Sequence, residues 1–226
     1  MRVERRGLVD GAYEVLKELI LDQRLAPGAH VNIDALAPEL GVSQTPIREA
    51  LARLEAEGLV VKQQVRGRFL VAPTLDARSF EQLYEVRLLL EPHAASLAAG
   101  AITAAELLQL QRVDRSMRAA QRGGSYREYR DFSNQDARFH EVVAAAGGNP
   151  ILRDAVLRLH SHQQLARLYR GHGVDAEGGV PEHEAILAAI ADGDGRRASA
   201  SMRRHLEGSR RRLRALLHAA ATPAGG

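Results

Sequence analysis

The chain of 226 residues has no cysteine at all. That excludes disulfides, thiolate zinc fingers, iron–sulfur clusters and cysteine nucleophiles, so any metal site has to be built from histidine, carboxylate or carbonyl oxygen. Nine histidines are present. Long hydrophobic runs are missing too: none approaches the roughly 18 to 20 residues of a membrane span. The start, Met1-Arg2-Val3-Glu4-Arg5-Arg6, lacks the apolar core of a secretion signal. These absences give the expectation of a soluble, cytoplasmic protein. Lysine is scarce, since only Lys17 and Lys62 are Lys among the 31 basic residues. Arginine suits planar contacts to phosphate, carboxylate and guanine, although a GC-rich genome produces the same bias. A strong excess of either charge is absent as well: 31 basic against 28 acidic groups give a formal +3.

What is present, an apolar content of 45%, is that of a globular chain with a real core. The first seventy residues read helix, helix, turn, helix, hairpin. A first helix is expected from about Asp10, with Ala12, Val15, Leu16, Leu19 and Ile20 at helical spacing, ending before Ala26-Pro27-Gly28. A short helix over Asp34 to Leu40 contains Pro38, which should distort it locally. A third starts at Ser43, whose hydroxyl is placed to cap free amides, carries Pro46 in its first turn and closes at Gly58 as a left-handed cap. Two β-prone runs follow, Leu59 to Gln63 and Arg68 to Val71, around Gln64-Val65-Arg66-Gly67. After Ala72-Pro73-Thr74 the pattern becomes wholly helical. About six helices are expected, near 79–99, 103–122, 125–146, 150–170, 181–192 and 195–219, broken at glycine clusters and at Thr103 and Pro150. The fold class is therefore mainly α: a winged helix-turn-helix over 1–73, a linker over 74–78, a helical bundle over 79–220 and a tail over 221–226.

In a helix-turn-helix the second helix lays its first residues against base edges in the major groove. Here those residues are Ser43, Gln44, Thr45 and Arg48, which all avoid the apolar stripe of Ile47, Leu51 and Leu54. Gln pairs with adenine and Arg with guanine, while Ser43 and the helix start suit a phosphate. The hairpin tip adds Arg66, Gly67 and Arg68. The bland alternative is a winged helix used for protein contacts with Arg48 in a surface ion pair, but such pairs do not require a Pro-capped helix and a basic wing to coincide. The head sums to ten basic and ten acidic groups over residues 1–70, so DNA affinity has to come from where single arginines stand.

Further along, Asp136 and His140 are four apart and fall on one stripe with Phe132, Phe139 and Val143. His183 falls among Ile186, Leu187 and Ile190, and His205 among Met202, Leu206, Ser209 and Leu213. Three helices thus each send an imidazole inward and one adds a carboxylate. Burying these groups unpaired costs about 1 to 3 kcal/mol each; a shared divalent ion, with Zn, Ni or Mn foremost, satisfies all four. The alternative is a set of individually hydrogen-bonded core histidines. His160 and His162 are two apart, on different faces, and are left out of the cluster. Arg87 shares a stripe with Phe80, Leu83, Tyr84 and Ala94, so its guanidinium points inward, where Glu91 one turn on is a partner for it. Gln163 and Arg167, in phase with Leu152, Val156 and Leu159, are further pocket candidates.

The head resembles the GntR family of bacterial transcription regulators. The resemblance runs through Leu25-Ala26-Pro27-Gly28, Leu36-Ala37-Pro38-Glu39-Leu40-Gly41-Val42-Ser43, Thr45-Pro46-Ile47-Arg48-Glu49-Ala50-Leu51 and Leu54-Glu55-Ala56-Glu57-Gly58-Leu59-Val60. Two positions depart from the pattern: Gln44 stands where Arg is usual, and Asp34 where some members have a DNA-contacting Arg. An operator sequence is therefore not transferable from relatives. The helical part, about 79–217, looks like the FCD ligand-binding domain of the same family. In its metal-binding members an Asp and a His four apart are followed by two later His, the pattern of Asp136, His140, His183 and His205. The resemblance also implies that Arg87 holds an effector carboxylate. It implies a homodimeric regulator, a repressor by the commoner arrangement, that binds a double-stranded operator with half-sites about one helical turn apart and responds to a small organic acid. Two rival readings remain at this point: a metal-dependent hydrolase fused to a DNA-binding head, and a metal-free regulator with a structural histidine cluster. Against the hydrolase, no buried acid is evident as a general base, since Glu141, Glu182 and Glu184 lie off the stripes.

Overall fold

The structure is a computed structural model that describes residues 2–63, 67–120, 126–168 and 176–221. It divides into two compact units, residues 1–74 and 75–226.

In the first unit, α1 (Arg2–Leu21), α2 (Ile33–Glu39) and α3 (Gln44–Ala56) precede a hairpin of β1 (Val60–Gln63) and β2 (Arg68–Val71). Helix α1 begins well before Asp10, because that carboxylate does not cap a helix but accepts from Arg53 at 2.6 Å. Leu16, Ile20, Ile47, Ala50, Leu51, Leu54 and Leu59 are all fully buried, so the apolar stripes of α1 and α3 form one core. Lys17, packed into the same contact, is satisfied there by the Tyr13 hydroxyl at 2.8 Å and Glu57 at 3.2 Å. Helix α2 continues through Pro38, which lies near its C-terminal end, with Asn32 capping its start and Gly41 in the left-handed region just past its end. Ser43 occupies the N-cap position of α3, but its hydroxyl makes no capping bond and is exposed, which corrects the expected role. Gly58 at φ 72° ends α3 as expected, with Leu59 N–H returning to the Leu54 carbonyl at 2.9 Å. The strands pair antiparallel with Val60 opposite Val71 and Gln63 opposite Arg68. Residues 28–31 add a short third rung: Val31 N–H bonds the Phe69 carbonyl and Val71 N–H the Ala29 carbonyl, both at 2.9 Å. No strand-like pattern marks that rung in the sequence.

The second unit is helical among the described residues: α4 (Ala77–Ala101), α5 (Ala104–Ala119), α6 (Tyr126–Ala146), α7 (Pro150–Arg158), α8 (Ser161–Ala166), α9 (Ala176–Ala191) and α10 (Gly195–Ala221). Asp76 caps α4, a Thr103–Glu106 capping box starts α5 and Asn149 with Pro150 starts α7. Helix α10 lies along α4 and α9, and α5 along α6. The close start of α10 needs Gly195, since a Cβ there would stand 2.9 Å from the Ser96 carbonyl oxygen. One expected helix over 150–170 is broken in two. His160 adopts φ 45°, a left-handed turn that no glycine announces, and it redirects α8 toward α6. Among the described residues no helix is long and apolar enough to cross a membrane.

Candidate functional site

On the head, Ser43, Gln44, Thr45 and Arg48 are all exposed on the first turns of α3, while Pro46, Ile47, Ala50 and Leu51 of the same turns are buried. The surface that a helix-turn-helix offers to the major groove is thus polar and open. Gln44 is not solitary: its amide donates to Asp34 Oδ1 at 2.6 Å. Arg68 is exposed at the end of β2 next to Gly67, which sits at φ 58° in the wing turn. Arg66, the other expected wing contact, lies outside the described residues.

In the helical unit, α6 presents Asp136 and His140 one turn apart, α9 presents His183 and α10 presents His205. One possible ligand atom from each of these four lies within 4.8 Å of the others. The structure thus brings the four expected residues together. The three imidazoles are buried at 1 to 5% exposure, and their rings stand close, with His183 and His205 centroids 4.2 Å apart and His140 and His205 5.2 Å apart. Phe139, on the same face of α6, packs edge-on against His183 at 4.8 Å.

What orients the rings is a bond at each Nδ1. His140 donates to Glu91 Oε2 at 2.5 Å, His183 to the Gly179 carbonyl at 2.8 Å and His205 to Glu182 Oε2 at 3.0 Å. A carbonyl or ionised carboxylate only accepts, so each Nδ1 carries the proton and each Nε2 is left with a lone pair. Nε2 of His140 and of His183 are buried without a hydrogen-bond partner, although His183 Nε2 approaches Asp136 Oδ1 to 3.1 Å. Burial lowers His140 to about 4 and His205 to about 3, which keeps both rings neutral near pH 7. Burial works to raise the Asp136 carboxyl, but His162, which donates to it, holds it well below the usual range. Neutral imidazoles with converging unpaired nitrogens next to an ionised carboxylate are the donor set a divalent cation takes. The residues present therefore fit a metal, and as a Lewis acid it would supply open positions for ligand oxygen.

The acids around this centre are where sequence and structure part. Glu91, which the stripes did not bring to the cluster, is fully enclosed in the bundle beside it, at 3% exposure. Both its oxygens are committed, one to Arg87 Nε at 2.5 Å and the other to His140. Burial alone would raise Glu91; Arg87 and His140 outweigh it and hold the carboxyl far below the ordinary range. The Arg87–Glu91 pairing anticipated at one-turn spacing is present, and Arg87 also lines the cavity beside the cluster. Glu182, which lies off the apolar stripe of α9, holds His205 and takes both ends of the Arg212 guanidinium at 2.9 and 2.8 Å. Gly208 makes room for this: a Cβ there would fall 2.5 Å from Glu182 Oε1.

His162, set aside because it is two residues from His160, belongs at the centre. The break at His160 turns it so that Nδ1 donates to Asp136 Oδ2 at 2.8 Å. Its ring lies 4.8 Å from that of His140. Only the irregular backbone at 160 brings it there, and helical phase extended through that position misplaces it. Arg167 is buried at 1% but is not among the residues lining the cavity. The Gln163 side chain lies outside the described residues. Tyr129, Phe132, Ser133, Leu165, Ser209 and Arg212 complete much of the lining.

A winged helix-turn-helix with an open reading face, joined in one chain to a helical unit that encloses a polar cavity, defines a DNA-binding transcription regulator with an effector-binding domain. Residues 8–70 match the family model for bacterial regulatory proteins of the gntR family, and residues 82–208 match that for the FCD domain. The HTH-type transcriptional regulator LutR of Bacillus subtilis (strain 168) is 31% identical over 208 residues, 83% of this chain and 93% of that protein. The galactonate operon transcriptional repressor of Escherichia coli (strain K12) is 28% identical over 220 residues, 88% and 93% of the two chains. In fold, Escherichia coli McbR/YncC superposes with a TM-score of 0.70 at 24% identity over 92% of this chain and 97% of that one. The chain belongs to the GntR family of bacterial regulatory proteins, with an FCD domain as its helical unit. Its relatives are named as regulators of transcription, and it is a regulator rather than an enzyme, which removes the hydrolase reading.

Proposed function

We propose that the protein is a cytoplasmic, homodimeric repressor whose grip on a double-stranded operator is released by a small organic acid bound on a divalent metal, with Zn, Ni or Mn foremost. Asp136, His140, His183 and His205 hold the ion; Ser43, Gln44, Thr45, Arg48 and the wing residues Arg66, Gly67 and Arg68 contact DNA; residues 79–220 carry effector binding and dimerisation. The observation that carries the metal reading is the pair of buried, unpartnered Nε2 atoms on His140 and His183, each aimed by a bond at Nδ1.

Charge explains why the acid and the metal belong together. Arg87 is matched by Glu91 and Arg212 by Glu182, which leaves the single negative charge of Asp136 among the described groups around the cavity. In that state a carboxylate is repelled. A divalent ion turns one net negative charge into one net positive and adds ligand positions, so a carboxylate with a neighbouring hydroxyl or keto oxygen becomes the matching guest. Arg87 spends Nε and Nη2 on Glu91 and offers the effector its remaining donors. The similar galactonate operon transcriptional repressor is named for the same chemical class, a sugar acid. Gln163 is a further candidate for contact with the effector, whereas Arg167, which does not line the cavity, has no part in this reading.

A second reading, a structural histidine cluster without metal, draws on the Nδ1 bonds, which already satisfy one nitrogen of each ring. It leaves two buried nitrogens unpaired, at about 1 to 3 kcal/mol each. Thermal-shift screening of small hydroxy, keto and sugar acids, with and without added metal, separates the two. Stabilisation by an acid only when metal is present supports the proposal; stabilisation independent of metal and of chelator supports the structural cluster. Only an effector with different affinities for the DNA-bound and free conformations shifts the equilibrium, so the same acids are then added to the operator complex.

A further inference from the structure

Two exposed polar side chains on the helix-turn-helix of the head touch each other. Asp34 stands in the first turn of α2 and Gln44 at the start of α3, both exposed, and Gln44 Nε2 donates to Asp34 Oδ1 at 2.6 Å. We propose that Asp34 and Gln44 form one base-reading unit, in which the carboxylate fixes the orientation of the Gln44 amide and restricts that contact to a base presenting an amino group in the major groove, adenine foremost. This rests on α3 being the helix that enters the major groove.

The physical basis is the asymmetry of the two partners. A free glutamine amide rotates about its last bond and presents either an acceptor or a donor edge, so by itself it tolerates several bases. A carboxylate accepts and never donates. Facing Asp34, the amide turns its NH2 group toward the carboxylate, and Oε1 cannot take that place without setting two oxygens against each other. One N–H is spent on Asp34, and Oε1 with the second N–H remains. That remainder is the acceptor–donor pair complementary to N6 and N7 of adenine. Cytosine supplies only an amino donor for Oε1, while guanine and thymine set carbonyl oxygens against it.

The same arrangement has an electrostatic consequence. A negative side chain beside the reading helix opposes the phosphates at every sequence alike, so Asp34 lowers affinity for all DNA while sharpening the choice at one base pair. A head whose charges sum to zero and which places an acid at the groove thus favours discrimination over general affinity.

The test compares the full-length wild type with Asp34→Ala, Gln44→Ala and the double variant in selections from random-sequence duplexes, followed by binding titrations on the enriched site and on unrelated DNA. Asp34→Asn, an isostere able to face either edge of the amide, serves as a fifth protein should Asp34→Ala fail to fold. The wild type is expected to select adenine or cytosine at one position in each half-site, by roughly 5- to 150-fold over the wrong bases. Gln44→Ala should erase that preference. Asp34→Ala should broaden it to all four bases while raising affinity for unrelated DNA, Asp34→Asn should broaden it toward guanine and thymine, and the double variant should be no more permissive than Gln44→Ala alone. An Asp34→Ala protein that keeps the wild-type preference, or a Gln44→Ala protein that loses preference at no position, overturns the proposal. A wild type that selects no sequence at all would instead remove the DNA-reading role of α3.

Discussion

Glu91 is the group on which the helical unit's buried electrostatics turn, and replacing it by alanine has two separable consequences. Arg87 is 2% exposed and loses the carboxylate that pairs with it; His140 loses the acceptor at Nδ1. Stranding one charge of a buried ion pair costs about 3 to 5 kcal/mol, a large part of the roughly 5 to 15 kcal/mol that holds a domain folded. At about 2 kcal/mol per molar urea, the midpoint should fall by about 2 M. Hydrogen exchange along α4 and α6 assigns the loss to this unit. Metal affinity should fall about 10- to 100-fold, because a ring that has lost its outer hydrogen bond is neither aimed nor held in one tautomer. The double change Arg87→Met with Glu91→Met separates the two effects. With no stranded charge, its metal-free stability should return to within about 1 kcal/mol of wild type or exceed it, while metal affinity stays low. A Glu91→Ala protein that unfolds within about 1 kcal/mol of wild type and binds metal undiminished would refute the role given to this carboxylate.

Other parts of the structure answer to simpler changes. Gly208→Ala places a methyl group against Glu182 Oε1, so Glu182 has to move off His205. Metal affinity should drop about 10-fold in a competition titration, while the helix gains about 0.8 to 1 kcal/mol of propensity that offsets the crowding. An unchanged affinity would show that Glu182 does not aim His205. Arg48→Ala should weaken the enriched operator by about 1 to 3 kcal/mol and relax one base position. Arg68→Ala should weaken all DNA alike and reduce the salt dependence of binding by about one ion. If the two variants behave identically in sequence preference, the division between base reading and phosphate contact is wrong.

Helical phase carried much of this structure, because it reports which way a side chain points. The stripes through Asp136, His140, His183 and His205 lead to the observed cluster, and the glycine breaks lead to the ends of α3 and to the joints of the bundle. Phase fails where the backbone is irregular. His160 in the left-handed region is unmarked by glycine or proline, and with it went the break between α7 and α8 and the arrival of His162 at Asp136. Phase is also too strict for long side chains at the edge of a stripe. Glu182 lies off the apolar face of α9, yet its carboxylate reaches His205 and Arg212 of the neighbouring helix. Glu91 was legible as a partner for Arg87 one turn away. Its second bond, to a histidine 49 residues along, is a tertiary fact that no local pattern contains. The Asp10 misreading has a similar origin, since a residue that often caps helices serves here in a surface ion pair with Arg53.

The central claim, that three histidines and Asp136 hold one metal ion on which the effector acts, is tested most directly by metal stoichiometry. Purified wild type, His183→Ala and His205→Ala are loaded, dialysed and assayed by elemental analysis, with circular dichroism and operator binding as checks on folding. One equivalent of metal per wild-type chain, lost in both variants while fold and operator binding persist, is the expected result. Wild type with no stoichiometric metal, or variants that retain it, would contradict the claim.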